Sequence, residues 1–152
     1  MKQKIISLLL VVGIAVLCPF TGWAQKGLKI QYIFDRYGKQ KNVTMVELSK
    51  EMLETYGMKL YKSITIKGSE KALADIRHAL AIDQEGAKKI KEIVEEGQLV
   101  SAFYQLTGKN EGDVNRFILF KVGKKETITL VYIEGDLDSE DLVTLLFTKR
   151  DL

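Results

Sequence analysis

The chain has 152 residues, 46% of them apolar and 28% charged, with one Pro, one Cys, one Trp and one His; that length suits one domain and is short for two. The formal charge of +3 belongs mostly to one end: residues 1–24 hold two of the 23 basic side chains and none of the 20 acidic ones, so the 128 residues beyond them stand at +1. A near-neutral body has no net field to hold a polyanion, which removes nucleic acid from the expected partners, and a body without cysteine has no disulfide, thiolate zinc or thiol nucleophile.

The first segment carries its own message. Lys2 and Lys4 precede an uncharged apolar run from Ile5 to Cys18, Pro19 breaks it, and Gly22-Trp23-Ala24 places small residues ahead of Gln25. This is the pattern of a cleaved secretory signal over residues 1–24, leaving 25–152 as a single exported domain with no membrane span. A lipoprotein retaining Cys18 would need a small residue where bulky Leu17 stands. An uncleaved anchor needs about 20 apolar residues, a length reached here only by including Pro19, Thr21 and Gly22.

In the remaining chain, Leu28, Ile30, Ile33, Phe34 and Tyr37 follow helical spacing up to Gly38. Residues 43–48 read as a strand, and Ser49 then caps a short helix with Met52, Leu53 and Tyr56 that stops at Gly57. Residues 60–67 read as a second strand. Ser69 caps a helix with Ala72, Leu73, Ile76, Ala79 and Leu80 on one stripe. Asp83 is expected to cap another helix, with Ala87, Ile90, Ile93 and Val94 inward and Gly97 as its stop. Three strands follow at 99–106, 116–122 and 127–134, joined by short glycine-bearing connections that favour an antiparallel meander. Asp138 or Ser139 caps a last helix carrying Leu142, Val143, Leu145, Leu146 and Phe147. The expected order is α-β-α-β-α-α-β-β-β-α, an α+β fold with a mixed sheet whose C-terminal three-stranded antiparallel meander packs against helices.

In the meander both alternating sets are apolar. Val100, Ala102, Tyr104 and Leu106 oppose Leu99 and Phe103, while Ile118, Phe120 and Val122 oppose Phe117 and Leu119. A sheet with one wet face alternates more cleanly. Either helices cover both faces, or another chain covers one; in the second case Tyr104, Ile118 and Phe120 are the partner-binding residues.

Catalytic chemistry finds little purchase. His78 stands alone, with Asp75 one helical turn before it as an orienting partner but no nucleophile beside it. Asp136, Asp138 and Glu140 occupy the first, third and fifth positions of a calcium-loop frame, but Asp141 stands where glycine is required and Phe147 where a bidentate glutamate is required. Acidic residues at a helix start are favoured by its dipole in any case. Residues 108–112 lack the GK[ST] ending of a phosphate loop and precede a strand. Lys88, Lys89 and Lys91 followed by Glu92, Glu95 and Glu96 read as a solvated helical face. Asn42-Val43-Thr44 matches a glycosylation sequon. No catalytic residue, cofactor-binding residue, metal site or cofactor is expected.

Four segments together carry a resemblance: Phe34-Asp35-Arg36-Tyr37-Gly38-Lys39, Asn42 through Ser49, Asn115 through Phe120, and Tyr132-Ile133-Glu134-Gly135-Asp136-Leu137-Asp138. They resemble small exported proteins of Bacteroidota in domain-of-unknown-function families, which show a signal peptide, an early F-x-x-Y-G-K…V-T-x-V-x-L-S stretch and a late I-E-G-x-L-D stretch. The resemblance implies a periplasmic or outer-envelope address and no defined activity. The reading that follows is a non-enzymatic envelope module binding a protein partner or itself. A binder of a small apolar or lipid-like ligand is the alternative, and a hydrolase using carboxylates or His78 is the third.

Overall fold

The computed structural model describes residues 27–106 and 114–148. The expected signal segment over residues 1–24 and the glycine loop at 108–112 lie outside the described residues. The elements run α1 (Lys29–Tyr37), β1 (Val43–Glu47), α2 (Lys50–Thr55), β2 (Met58–Lys67), α3 (Glu70–Asp83), β3 (Lys88–Glu95), β4 (Gln98–Leu106), β5 (Asn115–Val122), β6 (Thr127–Gly135) and α4 (Ser139–Thr148), with a 3₁₀ turn at Lys124–Glu126. Three of the expected caps are made. Ser49 Oγ accepts from Met52 N, Ser69 Oγ from Ala72 N at 3.1 Å, and Asp138 Oδ1 from Asp141 N at 2.8 Å. Each satisfies an amide that a helix start leaves open.

The six strands form one sheet in the order β1-β2-β6-β5-β4-β3, and every neighbouring pair is antiparallel. The α+β class and the β4-β5-β6 meander stand; the sheet is antiparallel throughout rather than mixed. Helices cover both faces. On the first, Ile30, Ile33 and Phe34 of α1 and Ile76 and Leu80 of α3 join Ile64, Tyr104, Ile118, Phe120 and Leu130 in the larger core. On the second, Leu142 of α4 and Leu137 join Met58, Phe103, Phe117 and Ile133, with Leu53 of α2 at the margin. The doubly apolar meander is thus explained within one chain.

The segment expected as a helix after Asp83 is instead β3, an edge strand paired with β4. Glu96 and Gly97 connect them, both at positive φ (51° and 77°), the backbone of a primed two-residue hairpin turn. The register slips between Lys89 and Lys91 and again at Val94. Because of the first slip, Lys89 and Glu92 lie opposite Tyr104 and Ala102, both first-face residues, although they are three apart. Ile90 and Ile93 accordingly share the second face, at the spacing that resembles a helical stripe. Asp83 ends α3 and caps a different helix: its carboxylate accepts from Lys29 N and Ile30 N, each at 2.8 Å.

Candidate interaction surface

Tyr104, Ile118 and Phe120 are 1%, 0% and 2% exposed. The face they share is the floor beneath α1 and α3, so the open face on which they would contact a partner is closed by the chain's own helices. They are core residues, buried by the 18-member cluster that also holds Phe34, Ile76 and Leu80.

His78 is exposed and lines neither of the two grooves described below. Its expected orienting partner is engaged elsewhere: the Asp75 carboxylate accepts the Tyr37 hydroxyl. Two further tyrosines make the same kind of pair, Tyr104 with Glu92 and Tyr132 with Glu134 at 2.6 Å. Burial first, and then the carboxylate each one donates to, raises the Tyr104 and Tyr132 hydroxyls far above the ordinary phenol range and the Tyr37 hydroxyl to about 12. These phenols remain protonated donors at any physiological pH, anchoring strands and helices rather than supplying a nucleophile.

Of the calcium-loop frame, Asp138 and the Asp141 that stands at its glycine position cap each other's backbone amides at the start of α4. Among the described residues, no group of three His, Cys, Asp or Glu side chains is arranged to hold a metal. Two open grooves stand out. One, of about 440 Å³, lies between the ends of α2 and β6, with Tyr56, Leu137 and Leu145 beside Asp136 and Asp141. The other, of about 610 Å³, lies between α3 and the β3–β4 hairpin, walled by Arg77, Glu95, Glu96 and Gln98. Carboxylates on the walls of both suit a polar occupant better than a lipid-like one.

With both faces covered, the exposed large apolar residues among those described are Tyr32, Val46, Met52, Ile82, Ile93 and Val94. Three of them lie on edge strands: Val46 on β1, and Ile93 and Val94 on β3, the last 57% exposed. Every β3 residue except Ile90 is exposed. The hairpin also runs past its neighbour, since the pairing of β4 with β5 begins only at Ser101. Arg77 of α3 holds this extension, donating from Nε to Leu99 O at 3.0 Å and from Nη1 to Gln98 Oε1 at 2.8 Å. A supported strand at the end of a sheet, with apolar side chains exposed on it, is a template for another strand. Sequence reasoning missed it because it assigned the segment to a helix; the Glu96-Gly97 pair between two apolar runs was the available signal.

The fold defines the protein as an α+β domain built on one antiparallel six-stranded sheet with helices on both faces. Residues 17–146 match the model of a family of unknown function, DUF6108, and the chain belongs to that family. No curated protein matches the chain. The motifs behind the sequence resemblance hold structural positions. Phe34 and Tyr37 are buried, Gly38 lies against Met45 and the Phe34 carbonyl, Ser49 caps α2, and Ile133, Gly135 and Leu137 are packed ahead of the Asp138 cap. Among the described residues no helix is long and apolar enough to cross a membrane.

Proposed function

We propose that the protein is an exported, non-enzymatic module of the cell envelope that binds another protein or itself through the open edge of its sheet. The observation that carries this reading is β3: an edge strand exposed almost throughout, with Ile93 and Val94 facing solvent while both sheet faces are closed by helices. Export is supported by Lys2 and Lys4, the apolar run to Cys18 and the small residues before Gln25.

The test is expression of the full chain with a C-terminal tag in its own type of host, followed by crosslinking and capture from the envelope fraction. A captured product starting at Gln25, with one reproducible protein partner or with itself, supports the reading. A product starting at Met1 in the cytosolic fraction overturns the address. Equal capture by a Val94→Glu variant moves the contact away from β3.

A further inference from the structure

The β3 edge carries a charge pattern that selects its own partner. Its first half holds Lys88, Lys89 and Lys91, and its second half and turn hold Glu92, Glu95 and Glu96. Laid parallel and in register on a second copy, like charges stack on like. Laid antiparallel, the basic half of each strand meets the acidic half of the other. We propose that the chain pairs with a second copy of itself through antiparallel β3–β3 association, joining two six-stranded sheets into one across a two-fold axis; this deepens the binding reading above by naming the partner.

The register follows from the bulge. Carrying the Ile90–Lys91 bulge into the new ladder puts the axis at Glu92, where the two Glu92 side chains meet; Lys88 then lies opposite Glu95 of the partner subunit, and Ile90 and Lys91 together lie opposite Ile93 of the partner subunit. Residues opposite each other in an antiparallel pair must lie on the same face. In a regular strand Ile90 and Ile93 would lie on opposite faces; the slip at Ile90–Lys91 brings both to the second face, where Ile90 already packs beside Phe103. The symmetric contact therefore extends the second-face apolar layer by two isoleucine pairs and flanks it with two lysine–glutamate pairs. Lys89 and Glu92 are engaged within the strand, 3.8 Å apart, and Glu92 also accepts the Tyr104 hydroxyl. The flanking Lys88–Glu95 pairs thus carry the cross-strand selectivity. Lysines on this edge repel a basic strand and offer a neutral one no compensating charge, so the pattern favours its own kind. The contact is one strand wide and charge-assisted, so its dissociation constant is expected in the micromolar range and rises with salt.

The experiment is sedimentation equilibrium on the processed full-length product at low and high salt, with Lys88→Glu, Glu95→Lys, and an equimolar mixture of the two. Both side chains are exposed, and circular dichroism melts serve as the check that each variant folds. Wild type is expected to dimerise at low salt, each variant to dissociate about tenfold more easily because two attractive pairs become repulsive ones, and the mixture to recover wild-type association. Wild type that stays monomeric overturns the self-pairing and leaves the wider binding reading to be decided by the capture experiment. Dimers that persist in both variants place the contact elsewhere and overturn the β3 register.

Discussion

The carboxylate of Asp83 accepts the backbone N–H of Ile30 at 2.8 Å and that of Lys29 at the same distance, so the end of α3 caps the start of α1. Leu28, the residue in the capping position itself, offers no side-chain acceptor. The distant carboxylate satisfies two amides and opposes the positive end of the helix dipole. Asp83→Ala is expected to lower stability by about 1–2 kcal/mol, and Asp83→Asn by less because it keeps an acceptor. Urea denaturation of the two variants measures the difference.

Gly135 closes β6 where β2 begins. A Cβ there would lie 2.5 Å from the Gly57 carbonyl oxygen and 2.9 Å from Met58 Cα, both backbone, and the next amide, Asp136 N, donates to that same carbonyl at 3.0 Å. Gly135→Ala is therefore expected to cost about 1–3 kcal/mol by forcing the two strands apart. A thermal melt registers it as a lowered midpoint.

The tyrosine–carboxylate pairs set a limit at high pH. Tyr37 titrates near 10 when unfolded and at about 12 when folded, so between those values the native state holds a proton that the unfolded state has lost. Their contribution is fully present below pH 10 and declines as pH rises toward 12; Tyr104 and Tyr132 act in the same direction. Stability measured across that range should fall with pH, and Tyr37→Phe should flatten part of the slope.

Placing a charge separates core from surface. Phe120→Glu buries a carboxylate beneath α1 and α3 and is expected to remove at least about 4 kcal/mol, enough to unfold a domain of ordinary stability. Val94→Glu, on the exposed edge, should leave the melting temperature nearly unchanged. His78→Gln, also exposed, should stay within about 0.5 kcal/mol of wild type. Far-ultraviolet circular dichroism of the three, read side by side, decides the assignment.

Most helices and strands could be read from the sequence because local chemistry and burial agree there: Ser49, Ser69 and Asp138 cap the helices they precede, and the apolar stripe of α3 faces the core. The failure at β3 has a specific cause. A strand declares itself by alternation, but the slip at Ile90–Lys91 breaks the alternation and spaces Ile90, Ile93 and Val94 as a helix would. Its exposure on the edge removes the burial that would otherwise have marked one side. Asp83 misled for a related reason, since a capping side chain carries no record of which helix it serves. The meander's two apolar faces were legible as a pattern, but what covered them depended on where α1, α3 and α4 dock, which is a tertiary fact.

Among the described residues β6 is the last strand in sequence and the third across the sheet, seated between β2 and β5. Until it arrives, β1 and β2 form one ladder and β3, β4 and β5 another, and no strand bridges them. Hairpins can zip as they emerge, yet the two halves stay strangers until nearly the whole polypeptide has been made, because Ile64 finds Leu130 only at the end. Synthesis order and assembly order thus oppose each other. The sheet becomes one continuous layer only when residues 127–135 join β2 to β5.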